Sequence, residues 1–363
     1  MVTTRRLRRD AAVLMACLCV LAFSCATPSV RCHLCKSGLL VASDPRWLGG
    51  DGAFSVPLEG GGHLWLFGDT WLATPNEGMT LVSNTLGIQT GPCEGPVKAF
   101  WREEAGRPAS AFSPGDGRGW LWPAGGFCLE GYLHLFFHQM DRRQPGGAWD
   151  FFSRGTELIR VRGCRGPPEE WRLDRVPLPW REENFLLGSA PITAGSYVLA
   201  YGSRPAGSSR EIVLARIHVR DLLGLKMDRW EYFEGYREAP SWTPSVTRAR
   251  GLFRGIGTEF TVVQGPDNGG LICLYSPYGI SPEVHLRRAP HPHGPWGPPV
   301  RLYRCPEEET DPNLYCYGAK LHPHCMGDGR KGFWITYTVN TKDSSPPRGD
   351  EAKPRWVFIA CPE

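Results

Sequence analysis

Apolar and aromatic residues fall in short runs along this chain, separated by glycine-containing breaks, and the clearest case is Trp47 to Leu72, WLGGDGAFSVPLEGGGHLWLFGDTWL. The pattern predicts a β-hairpin: Ala53–Leu58 as one strand, Glu59–Gly62 as the turn, and His63–Thr70 as the return strand, rich in aromatic and β-branched positions. Folding it about Gly60 sets residues whose numbers sum to 120 opposite one another, so that Asp51 faces Asp69. Similar units recur at Pro123–Phe137, Leu187–Gly202, Thr258–Ser276 and Tyr317–Thr338. Their second strands begin at Leu64, Tyr132, Tyr197, Leu271 and Phe333, at intervals of 68, 65, 74 and 62 residues. Further strand-like stretches follow at Thr85–Thr90, Glu157–Val161, Ile212–His218 and Glu283–Arg288. Five units of short strands at a steady period predict an all-β fold, a five-bladed β-propeller in a single domain. The competing architecture, a pair of β-sandwiches, would repeat its turn signals every ~8–12 residues without the longer period. The long period needs long connections, with Cys93–Trp120 and Gln139–Ser153 as the candidates. Val219–Gly224 reads as one helical turn, Asp343–Lys353 as a loop, and Trp356–Ala360 as a last strand closing the ring against the first blade.

Composition narrows the class. With 363 residues, 41% hydrophobic and 21% charged, the chain can fill a core and is not expected to be disordered. Its 44 glycines and 33 prolines fit many turns between short strands. A net charge of +4 at this size, with no clustered basic face, gives no case for nucleic acid. Arg5, Arg6, Arg8 and Arg9 precede an apolar run of 13 residues, Ala11 to Phe23, too short to span a bilayer but suited to an export signal cleaved after Ala26. Thr4-Arg5-Arg6 is a weak twin-arginine pattern, and Cys25 is a second-choice lipid anchor. No other stretch is long and apolar enough for a membrane span. The expected organisation is a signal peptide over 1–26, a cysteine-containing segment over 27–43 and the propeller over 44–363, secreted or otherwise extracytoplasmic and monomeric. Of thirteen cysteines, ten lie beyond the signal, an even number that favours disulfides in an exported chain. Cys32-His33-Leu34-Cys35 reads as an N-terminal disulfide anchor before a zinc site, and Cys128 and Cys273 as buried thiols in apolar strands.

In a propeller, the starts of first strands and the ends of second strands meet at one mouth. That gathers Asp51 and Asp69 from the first unit, Glu259 from the fourth, and Lys320 and His322 from the fifth, with Ser189 and His138 from the units between. Trp47, Trp71, Tyr275 and Tyr278 are the neighbouring aromatics. Carboxylates among aromatic faces suit a sugar site, in which ring faces stack and hydroxyls meet acids. Facing carboxyls also push their pKa values apart, as acid–base chemistry needs. The catalytic candidates are Asp51, Asp69 and Glu259, and the substrate-binding candidates Trp47, Trp71, His138, Ser189, Tyr275, Lys320 and His322. For His322 the plainer reading is a satisfied core histidine, and for Lys320 an ion-pair partner. G-x-S-x-G, H-E-x-x-H, P-loop and GxGxxG motifs are absent, which removes the commonest hydrolase, metalloprotease and nucleotide readings.

The segments GGDGAFSVPL–WLFGDTW, GGF–LHLFF, GTEF–V and YGAKLHP resemble the bacterial domain-of-unknown-function family 4185, which includes endo-D-arabinanases and is similar in architecture to five-bladed propeller arabinanases and β-xylosidases. The resemblance runs from Asp44 to Ala360. It implies attack on a glycosidic bond in a glycan, furanosidic in the arabinan manner, with Asp51 and Asp69 as the matching acidic pair and Glu259 in the general-acid place. Carboxyls about 5–5.5 Å apart give retention and about 6.5–9.5 Å inversion; Asp51 with Asp69 suits the short distance and Asp51 with Glu259 across the ring the long one, and the reading favours inversion, with Asp51 as base and Asp69 as a tuner of its neighbour's proton affinity. No cofactor is required. Two other readings use the same residues: a lectin-like propeller that binds glycan without cutting it, and a structural propeller whose acidic centre holds calcium or sodium, for which no metal ligands are assigned.

Overall fold

In the computed structural model of the protein, Phe54 pairs with Leu66, Ser55 with Trp65, Val56 with Leu64 and Pro57 with His63, the register that folding about Gly60 predicts. The structure describes residues 33–74, 78–91, 95–143, 150–178, 184–265, 269–325, 332–343 and 345–360. The expected signal segment, Cys32, Cys93 and Cys361 lie outside these residues.

The first hairpin extends into a four-stranded antiparallel sheet, Phe54–Pro57, His63–Phe67, Thr85–Gln89 and Lys98–Phe100. A second sheet follows with Trp120–Leu129, Tyr132–Arg142, Phe151–Arg162 and Arg172–Pro177. The third is built around Tyr197–Ala206 and Ser209–His218, and the fourth runs from Phe260–Gln264 through Leu271–Tyr275 and Glu283–Ala289 to Val300–Arg304. In the fifth, Leu314–Leu321, Gly332–Thr341 and Arg355–Ala360 are completed by His33–Leu39 from the N-terminal end. The closing strand is therefore found, but its outer partner is this N-terminal strand and not the first sheet. The segment set apart as 27–43 thus supplies a strand of the folded unit from His33 onward. Two small sheets decorate the first: Trp47–Gly50 with Thr70–Thr74 and Gly78–Val82, and the hairpin Arg102–Glu104 with Arg107–Ala109 inside the expected Cys93–Trp120 loop. Helix is confined to short turns, including Val219–Leu223, and no helix among the described residues is long and apolar enough to cross a membrane.

Period-2 geometry explains why the strands read as nearly continuous apolar runs: both faces of each sheet are covered. Leu64 and Leu66 turn to Leu133, Leu135 and Phe137 of the second sheet. Phe136, on the opposite face, meets Ala200, Val213 and Ala215 of the third. Tyr201 and Leu214 then meet Val262 and Cys273 of the fourth, and Leu274 and Leu286 meet Leu321 and Ile335 of the fifth. Trp334 and Trp356 of the fifth sheet return to Trp65 and Phe67 of the first. The sheets thus follow one another in cyclic order, each sharing a buried layer with the next.

Cys305 and Cys316 form a disulfide across the connection from the fourth to the fifth sheet, a feature compatible with an extracytoplasmic location. Cys325 is also disulfide-bonded. Cys273 is a buried free thiol and Cys128 a partly buried one, as expected, but Cys35 and Cys164 are free as well. The expected anchor at Cys35 is thus not formed: Cys35 sits exposed on the edge strand, away from the sheet interior that would hold a partner.

Candidate active site

Asp51 and Asp69 stand where the first hairpin breaks into two sheets. The predicted return strand to Thr70 stops at Phe67, and Thr70 opens a strand of the small sheet. Gly52 (φ +77°) and Ala53 (φ +44°) turn the incoming chain in a conformation that most L side chains avoid. The break is held by Asp51 N–H donating to the Asp69 carbonyl at 3.1 Å and Gly68 N–H to the Asp51 carbonyl at 2.9 Å. A Cβ on Gly68 would lie 2.3 Å from Asp51 Oδ1, so glycine there makes room for the carboxyl. The two acids therefore share one corner, as the register requires.

That corner opens on a cleft of about 830 Å³ to which all five large sheets contribute. Asp51, Asp69, Glu259, Trp71 and His138 line it. Trp47, Ser189, Tyr275, Lys320 and His322 do not. Trp47 is buried and donates from Nε1 to Thr85 Oγ1 at 3.3 Å. Tyr275 is buried and its hydroxyl accepts from Arg287 Nε at 3.0 Å. Ser189 donates to the Thr258 carbonyl at 3.2 Å, beside Glu259 but behind it. The fifth sheet's first strand begins at Leu314, so Lys320 and His322 fall at its far end and Tyr315 and Tyr317 take the mouth. His322 is a satisfied core residue, with Nδ1 2.7 Å from Ser55 Oγ and Nε2 2.9 Å from Thr336 Oγ1. Lys320 is fully buried, lies over the Phe54 ring at 4.3 Å, and donates to Glu259 Oε2 and to the Gly318 carbonyl, the latter at 2.9 Å.

Several residues at the site escaped the sequence reading. Tyr317 Oη donates to Asp51 Oδ2 at 2.9 Å, and Trp122 Nε1 donates to Asp69 Oδ1 at 2.7 Å. Trp122 packs edge-on against Phe151 at 4.9 Å and against Trp120 at 5.7 Å, forming an aromatic wall. Tyr317 opens the very YGAKLHP stretch already singled out, and Trp122 precedes PAGGF, but nothing local says which acid each would meet.

Burial pushes Asp51 well above the usual carboxyl range, reinforced by the charges of Asp69 and Glu259 against the pull of Tyr317 and Lys320. Burial likewise raises Asp69 from 3.8 to about 6, opposed by the Trp122 hydrogen bond and by Arg142. Burial lowers His138 to about 4, so it is neutral at pH 7. A raised carboxyl binds its proton more tightly folded than unfolded. Its stabilisation is full below the unfolded value of 3.8 and is lost as pH rises through about 6. Above that, the ionised group costs up to about 3 kcal/mol at full burial, and about 1–2 kcal/mol once its exposure to the cleft is allowed for. Asp69→Asn, which keeps an oxygen for Trp122, is therefore expected to stabilise the fold by about 1–2 kcal/mol at pH 8 and by almost nothing at pH 4. Urea unfolding at the two pH values checks this, and an equal effect at both would sink the burial argument.

Known structures share the architecture. A structure from Bacteroides ovatus ATCC 8483, described provisionally as a hydrolase, aligns at TM-score 0.67 and 17% identity over 89% of this chain and 87% of the other. A family 117 glycoside hydrolase of the marine bacterium Zobellia galactanivorans aligns at 0.52 and 12%, covering 91% of each chain. The catalytic domain of a Coprinopsis cinerea GH62 α-L-arabinofuranosidase aligns at 0.50 and 11%, over 89% of this chain and 95% of that one. At such identities the likeness is one of fold. No protein of curated function matches the sequence. What holds of the resemblance to family 4185 is its coarser part, an all-β fold shared with structures of glycoside hydrolases. Residues 39–357 match the family of a domain of unknown function, DUF5005, and the chain belongs to that family.

Proposed function

We propose that this protein is an exported glycoside hydrolase built as a five-bladed β-propeller, with the five large sheets as blades, acting on a polysaccharide. The single observation that carries the reading is the convergence of Asp51, Asp69 and Glu259, from two different sheets, in one cleft walled by Trp71, Trp120 and Trp122. The cyclic order of the buried layers supports the propeller. The fold's likeness to glycoside hydrolases supports the class of reaction.

Glycosidic cleavage needs one carboxyl to protonate the leaving oxygen and another to activate water or attack the anomeric carbon. Asp51, pushed well above the usual carboxyl range by burial, holds its proton and takes the donor role. Glu259, ion-paired with the buried ammonium of Lys320, enters as a carboxylate and takes the second. This exchanges the roles that the sequence reading gives these two residues, Asp51 as base and Glu259 as acid. Asp69, anchored by Trp122, supplies the neighbouring charge that keeps Asp51 protonated. Trp71, Trp120 and Trp122 offer faces for sugar rings, and His138 a neutral hydrogen-bonding edge. In this reading Lys320 positions Glu259, and His322 positions the seam between the first and fifth sheets. No cofactor takes part.

The test is incubation with defined arabinans, other furanose glycans and a wider polysaccharide panel, with and without EDTA, reading products by chromatography and binding by calorimetry in parallel. Product that is insensitive to EDTA is the expected result. Binding without product would support the lectin-like reading instead, and loss of activity in EDTA a central ion.

A further inference from the structure

Among the described residues, two arginines line the cleft in unequal circumstances. Arg142 lies beside Asp69, whose carboxyl feels its charge, and stacks over Trp120 at 5.4 Å. Arg210, on the strand Ser209–His218 of the third sheet, has no acid beside it among the described residues. Its neighbours are answered: Arg204 pairs with Glu211 at 2.9 Å, Arg254 with the same carboxylate at 3.4 Å, and Arg216 with Glu231 at 2.8 Å. Arg210 is instead clamped by neutral oxygens. Nε donates to Ser203 Oγ at 2.9 Å, and Nη2 to the carbonyls of Asn184 at 2.5 Å and Ser203 at 2.8 Å. These bonds fix the guanidinium plane and leave Nη1, with two N–H donors, for the cleft that Arg210 lines. Burial draws the guanidinium down to about 10.

A cation taken partly out of water, with no counter-charge among the described residues, is costly unless something anionic completes it. No hydroxyl-only sugar does so, whereas a carboxylate or sulfate oxygen matches the planar donors of a guanidinium. We propose that Arg210 binds an anionic substituent of the glycan, so that the ligand of this cleft is an acidic polysaccharide, its charge carried by a uronic acid or a sulfate ester. The inference rests on the glycosidase reading for the word substrate, but not for binding. Asp51 and Asp69 flank the strands of the first sheet and Glu259 precedes the fourth, whereas Arg210 comes from the third, so the acids and Arg210 enter the cleft from different parts of its wall. An acidic chain would be held by Arg210 with its neutral glycosidic link presented to the carboxyls.

Calorimetric titration of the whole chain with two matched pairs tests this. One pair is trigalacturonate and its methyl ester; the other is a carrageenan tetrasaccharide and its desulfated form. The expected result is that at least one charged member binds roughly tenfold or more tighter than its neutral twin. Which pair shows it tells uronate from sulfate. Arg210→Gln should bring that ratio to within about threefold, and Arg210→Lys should keep part of it. Equal binding of acid and neutral twin in both pairs, no binding of either acid, or an unchanged ratio in Arg210→Gln would each overturn the proposal. The acid–neutral comparison needs no variant, so a poorly folding Arg210→Gln leaves the test intact. Charge discrimination without hydrolysis would keep this inference and remove the hydrolase. Hydrolysis of a neutral glycan without charge discrimination would do the reverse.

Discussion

Asp51→Asn is expected to lower turnover of an unactivated glycan about 10³-fold while leaving the fold intact, the loss that removal of a proton donor brings under the proposed hydrolysis. The informative comparison is with an aryl glycoside whose leaving group departs without protonation. If Asp51 delivers the proton to the leaving oxygen, that substrate no longer needs it, and the variant should recover most of the wild-type rate. Glu259→Gln should fail on both substrates, and added azide should restore it in part by replacing the missing carboxylate. Steady-state rates for the two substrates across the two variants settle the assignment. The opposite pattern, with Asp51→Asn inactive on both and Glu259→Gln rescued by the good leaving group, would return Asp51 to the base and Glu259 to the acid of the sequence reading. Full activity of Asp51→Asn on natural glycan would end the hydrolytic reading.

Glu259→Ala is expected to be the most destabilising change in the cleft, because of what it leaves behind. The Lys320 ammonium is 0% exposed, whereas the Glu259 side chain keeps 28% of its surface. Removing the acid strands a buried cation whose remaining acceptor is the Gly318 carbonyl. Breaking a buried pair in this way costs about 3–5 kcal/mol. Lys320→Met leaves a carboxylate that can still reach cleft water, so its cost should be smaller, about 1–2 kcal/mol. The double variant Glu259→Ala/Lys320→Met should be more stable than Glu259→Ala alone, since neither charge remains to be buried. Urea unfolding of the four proteins closes the cycle. Additive effects would mean that the ion pair is not the source of the cost. Glu259→Gln, which keeps an oxygen for the ammonium, is the variant fit for kinetics.

Much of the fold was legible because strand pairing is local. The second strand at Tyr132, Tyr197 and Leu271 starts where the alternation predicts, and the hairpin register holds from Phe54 to Pro57, since turn and pleat specify it within a few residues. The reading erred where a long-range choice intervened. The last strand takes His33–Leu39 as its neighbour, more than 300 positions away, and no local pattern announces that. The helical turn at Val219–Leu223 and the buried thiol Cys273 were readable from their neighbours; the free Cys35 was not, because pairing depends on what lies opposite in space.

By itself, the chain's alternation of apolar and polar positions determined the all-β class, the repeated hairpins and the proximity of Asp51 to Asp69, because backbone geometry makes each a consequence of neighbours. The tertiary structure decided the rest of the site: that Tyr317 and Trp122 hold the two acids, that Lys320 faces Glu259, and that Arg210 lines the cleft with no acid beside it among the described residues. Those contacts join residues from 53 to 266 positions apart. They exist only once separate sheets have packed into one ring-like order, and packing depends on summed burial over every interface, a quantity that no single stretch of sequence contains.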